Sequence, residues 1–304
     1  MGKRKIFFTL PNSMAIDLEP PIAVVCHDAG AANIIISWMA AKPQAGWRAV
    51  MRGPAYRIWT EQTSPGVQFG TIEEALDGAS MLLSGTGWAS ELEHEARNLA
   101  RQRGIRSIAV IDHWVNYSER FERNGSVVLP DKIYVTDEHA LENARRCFPD
   151  LKIEKKPNLY LESLVQQIDP VSPGCNVVLY LLEPILSDWK GTSSFEFEVL
   201  DYFVSMRTKL GIHPEASIRL RAHPSEPEGK YLIWIKANPN LNLEMDESGS
   251  LAMAISRCAW VVGAETQAMV VALESGRKVV SSLPPWLHRC RLPQEKIIHL
   301  RDLV

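Results

Sequence analysis

The sequence predicts two Rossmann-like α/β domains facing a cleft, and three observations carry that expectation. Its 304 residues exceed what one hydrophobic core ordinarily organises. From Pro21 onward, apolar runs of strand length alternate with stretches of helical periodicity, the pattern of a mostly parallel sheet. Several runs end in small or glycine-bearing loops that lead straight into a helix: His27-Asp28-Ala29-Gly30, Gly85-Thr86-Gly87-Trp88 and Gly263-Ala264-Glu265-Thr266. The expected division is a flexible segment over 1–20, an N-terminal domain over 21–155 and a C-terminal domain over 156–304.

Taken in order, Ile22–Cys26 is a strand, and Ala31–Ala41 is a helix that Pro43 helps to stop. Ala49–Met51 is a weaker strand and Ile72–Leu76 a short acidic helix. Met81–Ser84 is the next strand, followed by a helix over Glu91–Arg103 with its apolar face at Leu92, Ala96 and Leu99. Ile105–Ile111 is a buried strand ending in Asp112-His113-Trp114, and Lys132–Thr136 is another, followed by a helix reaching Cys147. Between Asp150 and Cys175 the periodicity weakens and the segment KIEKKPN appears, which places the domain crossover there. A second series then begins with the strand Asn176–Leu182, leading into Glu183, and the helix Phe195–Leu210. Strands follow at Ser217–Arg221, Leu241–Glu244, Trp260–Val262 and Lys278–Ser281, with helices at Ser250–Arg257 and Gln267–Glu274. No internal sequence repeat is visible.

Bulk composition narrows the function classes. A formal net charge of −3 gives no excess of basic groups to hold a polyanion, so nucleic acid is not an expected partner. Five scattered cysteines without a C-x-x-C pair suit reduced thiols in a cytoplasmic protein. The opening MGKRKIFFTLPNSM has an apolar stretch of only about five residues, too short for a secretory signal, and no run approaches the roughly 18 apolar residues of a membrane span. Its basic residues and two phenylalanines can touch the inner membrane peripherally, or simply form a disordered tail. The eight histidines are dispersed without ligand spacing, so no metal is expected. No Walker lysine loop and no G-x-S-x-G elbow is present, which removes phosphate-loop ATPases and α/β-hydrolases.

Four constellations can carry chemistry. Along Arg219-x-Arg221-Ala-His223-Pro224-Ser225, strand alternation puts the two arginines and the histidine on one side, where they can grip a phosphate or merely face solvent. Gly263 releases a strand and Thr266 is a candidate N-cap, so bare amides there favour a phosphate, while Glu265 accepts from ribose hydroxyls or stabilises its own helix. Ser281 and Ser282 end the following strand on the same rim. Asp28, in a loop of small residues with Gly30 and Asn33, is either a base or a helix cap, and the loop lacks the full dinucleotide-binding glycine pattern. Gly85, Thr86 and Trp88, with Asp112, His113, Asn116 and Arg120, suit a sugar that stacks on rings and bonds to polar groups; Trp114 and Tyr117 serve packing equally well.

At these residues the chain resembles the GT-B glycosyltransferase superfamily, especially bacterial sialyltransferases, capsule polysaccharide transferases and CDP-glycerol-type polymerases. It is also similar to the UDP-GlcNAc 2-epimerases. His223-Pro224 and Thr266 match in type and order an H-P motif and a later hydroxyl motif, over about the last 130 residues. The resemblance implies a nucleotide-sugar donor held in the C-terminal half, with His223 and the hydroxyl motif at its phosphate. It also implies a saccharide or lipid-linked acceptor in the N-terminal half, Asp28 as acceptor base, and inverting transfer without metal or cofactor. Val271 stands where UDP-sugar members place a glutamate before Ala272-Leu273, and Glu265 and Glu274 are nine apart rather than the eight of an E-x7-E pattern. Both departures favour a CMP- or CDP-linked donor. A nucleotide-sugar epimerase or hydrolase, and a noncatalytic sugar-nucleotide-binding subunit, are the alternatives.

Overall fold

The structure is a computed structural model that describes residues 16–62, 65–183, 195–223 and 226–303. The basic opening stretch, Pro224 and Ser225 therefore lie outside the described residues. The chain divides into two compact units, with the division between Tyr160 and Leu161.

The first unit holds β1 (Ile22–Cys26), α1 (Ala29–Ala41), β2 (Trp47–Met51), α2 (Gly53–Glu61), β3 (Val67–Gln68), α3 (Ile72–Leu76), β4 (Met81–Ser84), α4 (Leu92–Gln102) and β5 (Arg106–Val110). It continues through the small hairpin β6 (Glu122–Arg123) and β7 (Ser126–Val127) to β8 (Lys132–Val135), α5 (Glu138–Cys147) and β9 (Lys152–Lys155), and α6 (Leu159–Gln166) straddles the division. The sheet order is β3-β2-β1-β4-β5-β8-β9, with every neighbouring pair parallel. Because helices cover both faces, β1 is buried at every position and reads as a continuous apolar run. Alternate residues serve opposite cores: Ile22, Val24 and Cys26 pack with Ile35, Trp38 and Met39 of α1, whereas Ala23 and Val25 pack with Leu82, Ala96 and Ala100. The strand sequence winds outward from β1 to β3, then returns to β4 on the other side. The switch point of the sheet therefore lies at the carboxyl ends of β1 and β4, where α/β sheets open a crevice.

The second unit holds β10 (Val177–Leu181), α7 (Phe195–Met206), β11 (Ser217–Arg221), α8 (Leu232–Ala237), β12 (Leu243–Met245), α9 (Leu251–Ser256), β13 (Trp260–Gly263), α10 (Gln267–Glu274), β14 (Lys278–Ser281) and β15 (Ile298–His299). Its order, β12-β11-β10-β13-β14-β15, is again parallel throughout, with the switch point at the ends of β10 and β13. Val178, Tyr180, Ile218, Leu220, Val262 and Val280 pack with Leu200 and Phe203 of α7 to form its core. Both units are Rossmann-like.

The structure departs from expectation at four places. Helix α2 is absent from the expected elements; it begins at a Gly-Pro pair, and Pro54 sits in the first helical turn, where its missing N–H costs nothing. The crossover segment contains β9 and α6; β9 is charged because it is the sheet edge, where Lys132, Lys152 and Lys156 surround Glu154. Helix α8 goes unannounced by any strong periodicity. Helix α4 packs the expected Leu92, Ala96 and Leu99 against the core around Leu82, and it also buries Glu93, His94 and Arg97, which the apolar pattern does not single out.

Candidate functional site

Three loops of the first unit meet at its switch point. Asp28 occupies the N-cap position of α1, but its side chain does not cap the helix. Its Oδ1 lies 2.9 Å from Nδ1 of His27, and a β-carbon at Gly87 would fall 2.0 Å from its Oδ2. Gly87 is thus required by a carboxylate, which could not approach any larger residue. Gly30 plays the same part for Asp112, whose Oδ2 would lie 1.7 Å from a β-carbon there. The other Asp112 oxygen accepts from Arg120 Nη1 at 3.1 Å. Arg120 also donates to the Thr86 carbonyl and hydroxyl oxygens, and its guanidinium stands 5.9 Å from the Trp88 ring centroid. Thr86 in turn donates to the Val110 carbonyl. Asp28, Gly30, Gly85, Thr86, Trp88, Asp112 and Arg120 are thereby brought together, with the Trp88 ring exposed as a stacking platform.

Three other expected members show different local contacts or backbone. Asn33 bonds to Gln62, just past α2. His113 turns its Nδ1 toward the Trp114 amide. Asn116 takes a left-handed backbone, at φ 60°, where its role is to turn the chain. Trp114 donates to both oxygens of Asp137, and Tyr117 is buried in the cluster around Phe121 and Phe148, so both rings serve packing.

A further acid belongs to this group. Glu93 of α4 is 1% exposed, accepts the His27 N–H at 2.8 Å through Oε1, and has no hydrogen-bond partner for Oε2 among the described residues. Burial pushes its carboxyl above the ordinary range; the His27 amide opposes this and the neighbouring Asp28 adds to it. Arg97, one turn on and equally buried, donates to Ser84 Oγ and the Gly85 carbonyl and lies over the Phe121 ring. Burial lowers it to about 10, still a cation at neutral pH. In sequence this Glu-His-Glu-Ala-Arg run reads as a solvated face; the only signal against that is the pair of small residues Ala96 and Ala100 on the same stripe.

Two arginines of the second unit meet carboxylates within it. Arg219 Nε lies 2.5 Å from Glu244, and Arg221 Nη1 donates at 2.5 Å to Asp246, whose side chain is nearly inaccessible. Arg221 also donates to the Ser248 carbonyl. The two arginines expected at a phosphate therefore already carry carboxylate partners from β12 and the loop after it. His223 is exposed at the end of β11, and its carbonyl accepts from the Glu226 N–H.

At the start of α10, Thr266 is the N-cap without a side-chain cap bond. The amides of Ala264, Glu265 and Thr266 all donate to one oxygen, Glu183 Oε1, at 2.8, 2.9 and 3.2 Å. This is the arrangement that binds a phosphate, filled by a carboxylate from the end of the neighbouring strand. Burial raises Glu183 to about 7, against the pull of the amides and with help from the nearby Glu265 charge. Glu265 itself is gripped by Arg291 and His288; burial opposes its ionisation, but these partners hold it below the ordinary range. Ser281 and Ser282 are buried, and their hydroxyls donate to the Ala264 and Gly263 carbonyls, with Tyr180 OH 2.8 Å from Ser282 Oγ. They brace the turn that shapes the amide nest. Among the described residues, no helix is long and apolar enough to cross a membrane.

No protein-family model matches the chain, and no curated protein matches it in sequence. Solved structures do match. UDP-GlcNAc 2-epimerase from Neisseria meningitidis bound to UDP-GlcNAc aligns with a TM-score of 0.60 and 11% identity over 90% of this chain and 84% of that one. The Methanocaldococcus jannaschii UDP-GlcNAc 2-epimerase aligns at 0.57 and 13% over 86% and 83%. The S. aureus MnaA–UDP co-structure aligns at 0.56 and 11% over 86% and 78%. The chain has a GT-B-type fold, built of two Rossmann-like units.

Proposed function

We propose that the protein is an enzyme of nucleotide-activated sugars: an inverting, metal-independent glycosyltransferase of cytoplasmic bacterial polysaccharide synthesis, with a CMP- or CDP-linked donor favoured. The observation that carries this is the Asp28 carboxylate, which leaves its helix uncapped, is oriented by His27 and sits at a sheet switch point. In the proposed step Asp28 takes the proton of an acceptor hydroxyl, whose oxygen bonds to the anomeric carbon. The bond from that carbon to the donor phosphate breaks, and the phosphate leaves with the electron pair. His223 stabilises the leaving charge. Trp88 and Arg120 hold the acceptor by stacking and hydrogen bonding.

The test is transfer to a saccharide acceptor from CMP-, CDP- and UDP-linked sugars, with EDTA present. Asp28→Asn should lower kcat about 10²–10⁴-fold. His223→Ala should lower kcat/KM for the donor; unchanged transfer in both variants would dismiss the assignment.

A second reading, an epimerase or hydrolase of the same substrates, is favoured by Glu93, an additional buried acid beside Asp28, and by the aligned structures that are UDP-GlcNAc 2-epimerases. Proton NMR without acceptor separates the two. A transferase leaves the donor intact, whereas an epimerase or hydrolase yields an inverted or free sugar.

A further inference from the structure

A groove of about 530 Å³ opens in the first unit at the carboxyl ends of β2 and β3, lined in part by Arg52, Gly53, Tyr56, Gln68 and Phe69. That is the size of a small-molecule site. Arg52 is its cation. The guanidinium is held in place, Nη1 donating to the Met51 carbonyl at 3.0 Å and Nη2 to the Gly70 carbonyl, and among the described residues it meets no carboxylate. Bonds to neutral carbonyls fix its plane and leave its charge uncompensated. Glu74, the acid of this rim, is spent on its own helix start, where Oε2 accepts the Gly70 and Thr71 amides at 3.0 and 3.1 Å. Gln68 is spent on the sheet border, its amide paired with both backbone groups of Met51. Two rings complete the groove: Tyr56, 49% exposed, and Phe69, whose ring is backed by the Arg48 guanidinium 4.2 Å from its centroid.

We propose that this groove is a subsite for an acidic sugar, its carboxylate paired with Arg52 and its C–H face laid on Tyr56. A single fixed cation matches the single charge of a carboxylate, which takes the N–H groups that the two carbonyl bonds leave over. A diphosphate, with more charge, finds no second cation in the lining. The groove also adjoins the proposed base. The Arg52 N–H donates to the Cys26 carbonyl at 3.0 Å and the Ala55 N–H to the His27 carbonyl at 2.9 Å, which fastens the start of α2 to the loop after β1. The His27 ring stands between the two sites: a β-carbon at Gly53 would fall 2.5 Å from its Nε2, while its Nδ1 is 2.9 Å from Asp28 Oδ1. Trp88 and Arg120 follow β4 and β5, on the opposite side of β1 in the sheet order, and β2 and β4 are two strand spacings, about 10 Å, apart. An acceptor of more than one sugar therefore lies across Asp28, with one residue at Trp88 and an acidic one in the groove. That the acidic sugar belongs to an acceptor rests on the transferase reading; the groove's preference for it does not.

The experiment titrates the full chain with methyl β-glucuronide and methyl β-glucoside, followed through the proton NMR signals of the ligand, which report binding without turnover. The two glycosides differ in the carboxylate. Wild type should prefer the glucuronide about tenfold, the worth of a charge-assisted hydrogen bond. Arg52→Gln should abolish that preference while leaving glucoside binding unchanged, and Tyr56→Ala should weaken both glycosides by a similar factor, with thermal melts to confirm folding. If Arg52→Gln does not fold, Arg52→Lys, which keeps the charge and loses the planar fork, should reduce the preference. Equal binding of the two glycosides, no binding of the glucuronide, or a preference untouched by the Arg52 substitution overturns the subsite. Tighter binding of inorganic phosphate than of the glucuronide would assign the groove to phosphate and overturn it too. Sugar transfer with no glucuronide preference would sink the subsite and keep the transferase reading. An Arg52-dependent preference with no turnover of any sugar nucleotide would do the reverse.

Discussion

Glycine at position 87 is demanded by an oxygen atom. The Asp28 carboxylate occupies the volume a β-carbon would take, so Gly87→Ala must push the acid aside rather than strain the backbone. The expected outcome is a fall of about 10²-fold in kcat with donor affinity unchanged, since misplacing a reacting group by about 1 Å costs that much. A KM rise with kcat intact would contradict it. Asp28 was legible because a strand, an acid and a small-residue helix start form a recognisable series. Glu93 was not, because a glutamate and an arginine one turn apart look like a solvent-facing pair until tertiary packing buries both. The carboxylate partners of Arg219 and Arg221 were hidden for a related reason: Glu244 lies on β12 and Asp246 just after it, and β-sheet neighbours are not adjacent in sequence.

Helix α10 shows how a short run can be placed correctly while its occupant is missed. Its start, its capping residue and its glycine were all readable, whereas Glu183 reaches it from about eighty positions upstream through the β10–β13 pairing. Burial of that acid, against the pull of the amides, also sets a pH dependence. Glu183 titrates near 7 when folded and near its ordinary 4.5 when unfolded, so the native state binds the extra proton. The associated stability is complete below about pH 4.5 and disappears as pH climbs through 7, a change on the order of 3 kcal/mol. Glu183→Gln should flatten the melting curve between pH 5 and 7.5 relative to wild type; parallel pH profiles would count against the titration. The edge strand β9 escaped notice because its lysines made it resemble a linker, although charge is how an exposed sheet border avoids pairing with another chain.

Alternation of apolar strands and helices made both parallel sheets legible from the chain, but not their strand orders, which depend on where each crossover returns. The aligned structures keep this fold at 11–13% identity, so the architecture survives almost complete replacement of its residues and function must be argued side chain by side chain. Nucleotide added to the whole protein should raise its melting point, and hydrogen exchange should slow at the Ala264–Thr266 amides. Slowing confined to the β1 and β4 loops would place the nucleotide in the other unit. One relation emerges only when the two windings are compared. Counting strands afresh in each unit, both run 3-2-1-4-5 before continuing, and in both an acid just past strand one, Asp28 or Glu183, leans on the turn after strand four. Overlaying one half on the other by strand rank should therefore superimpose these two acids.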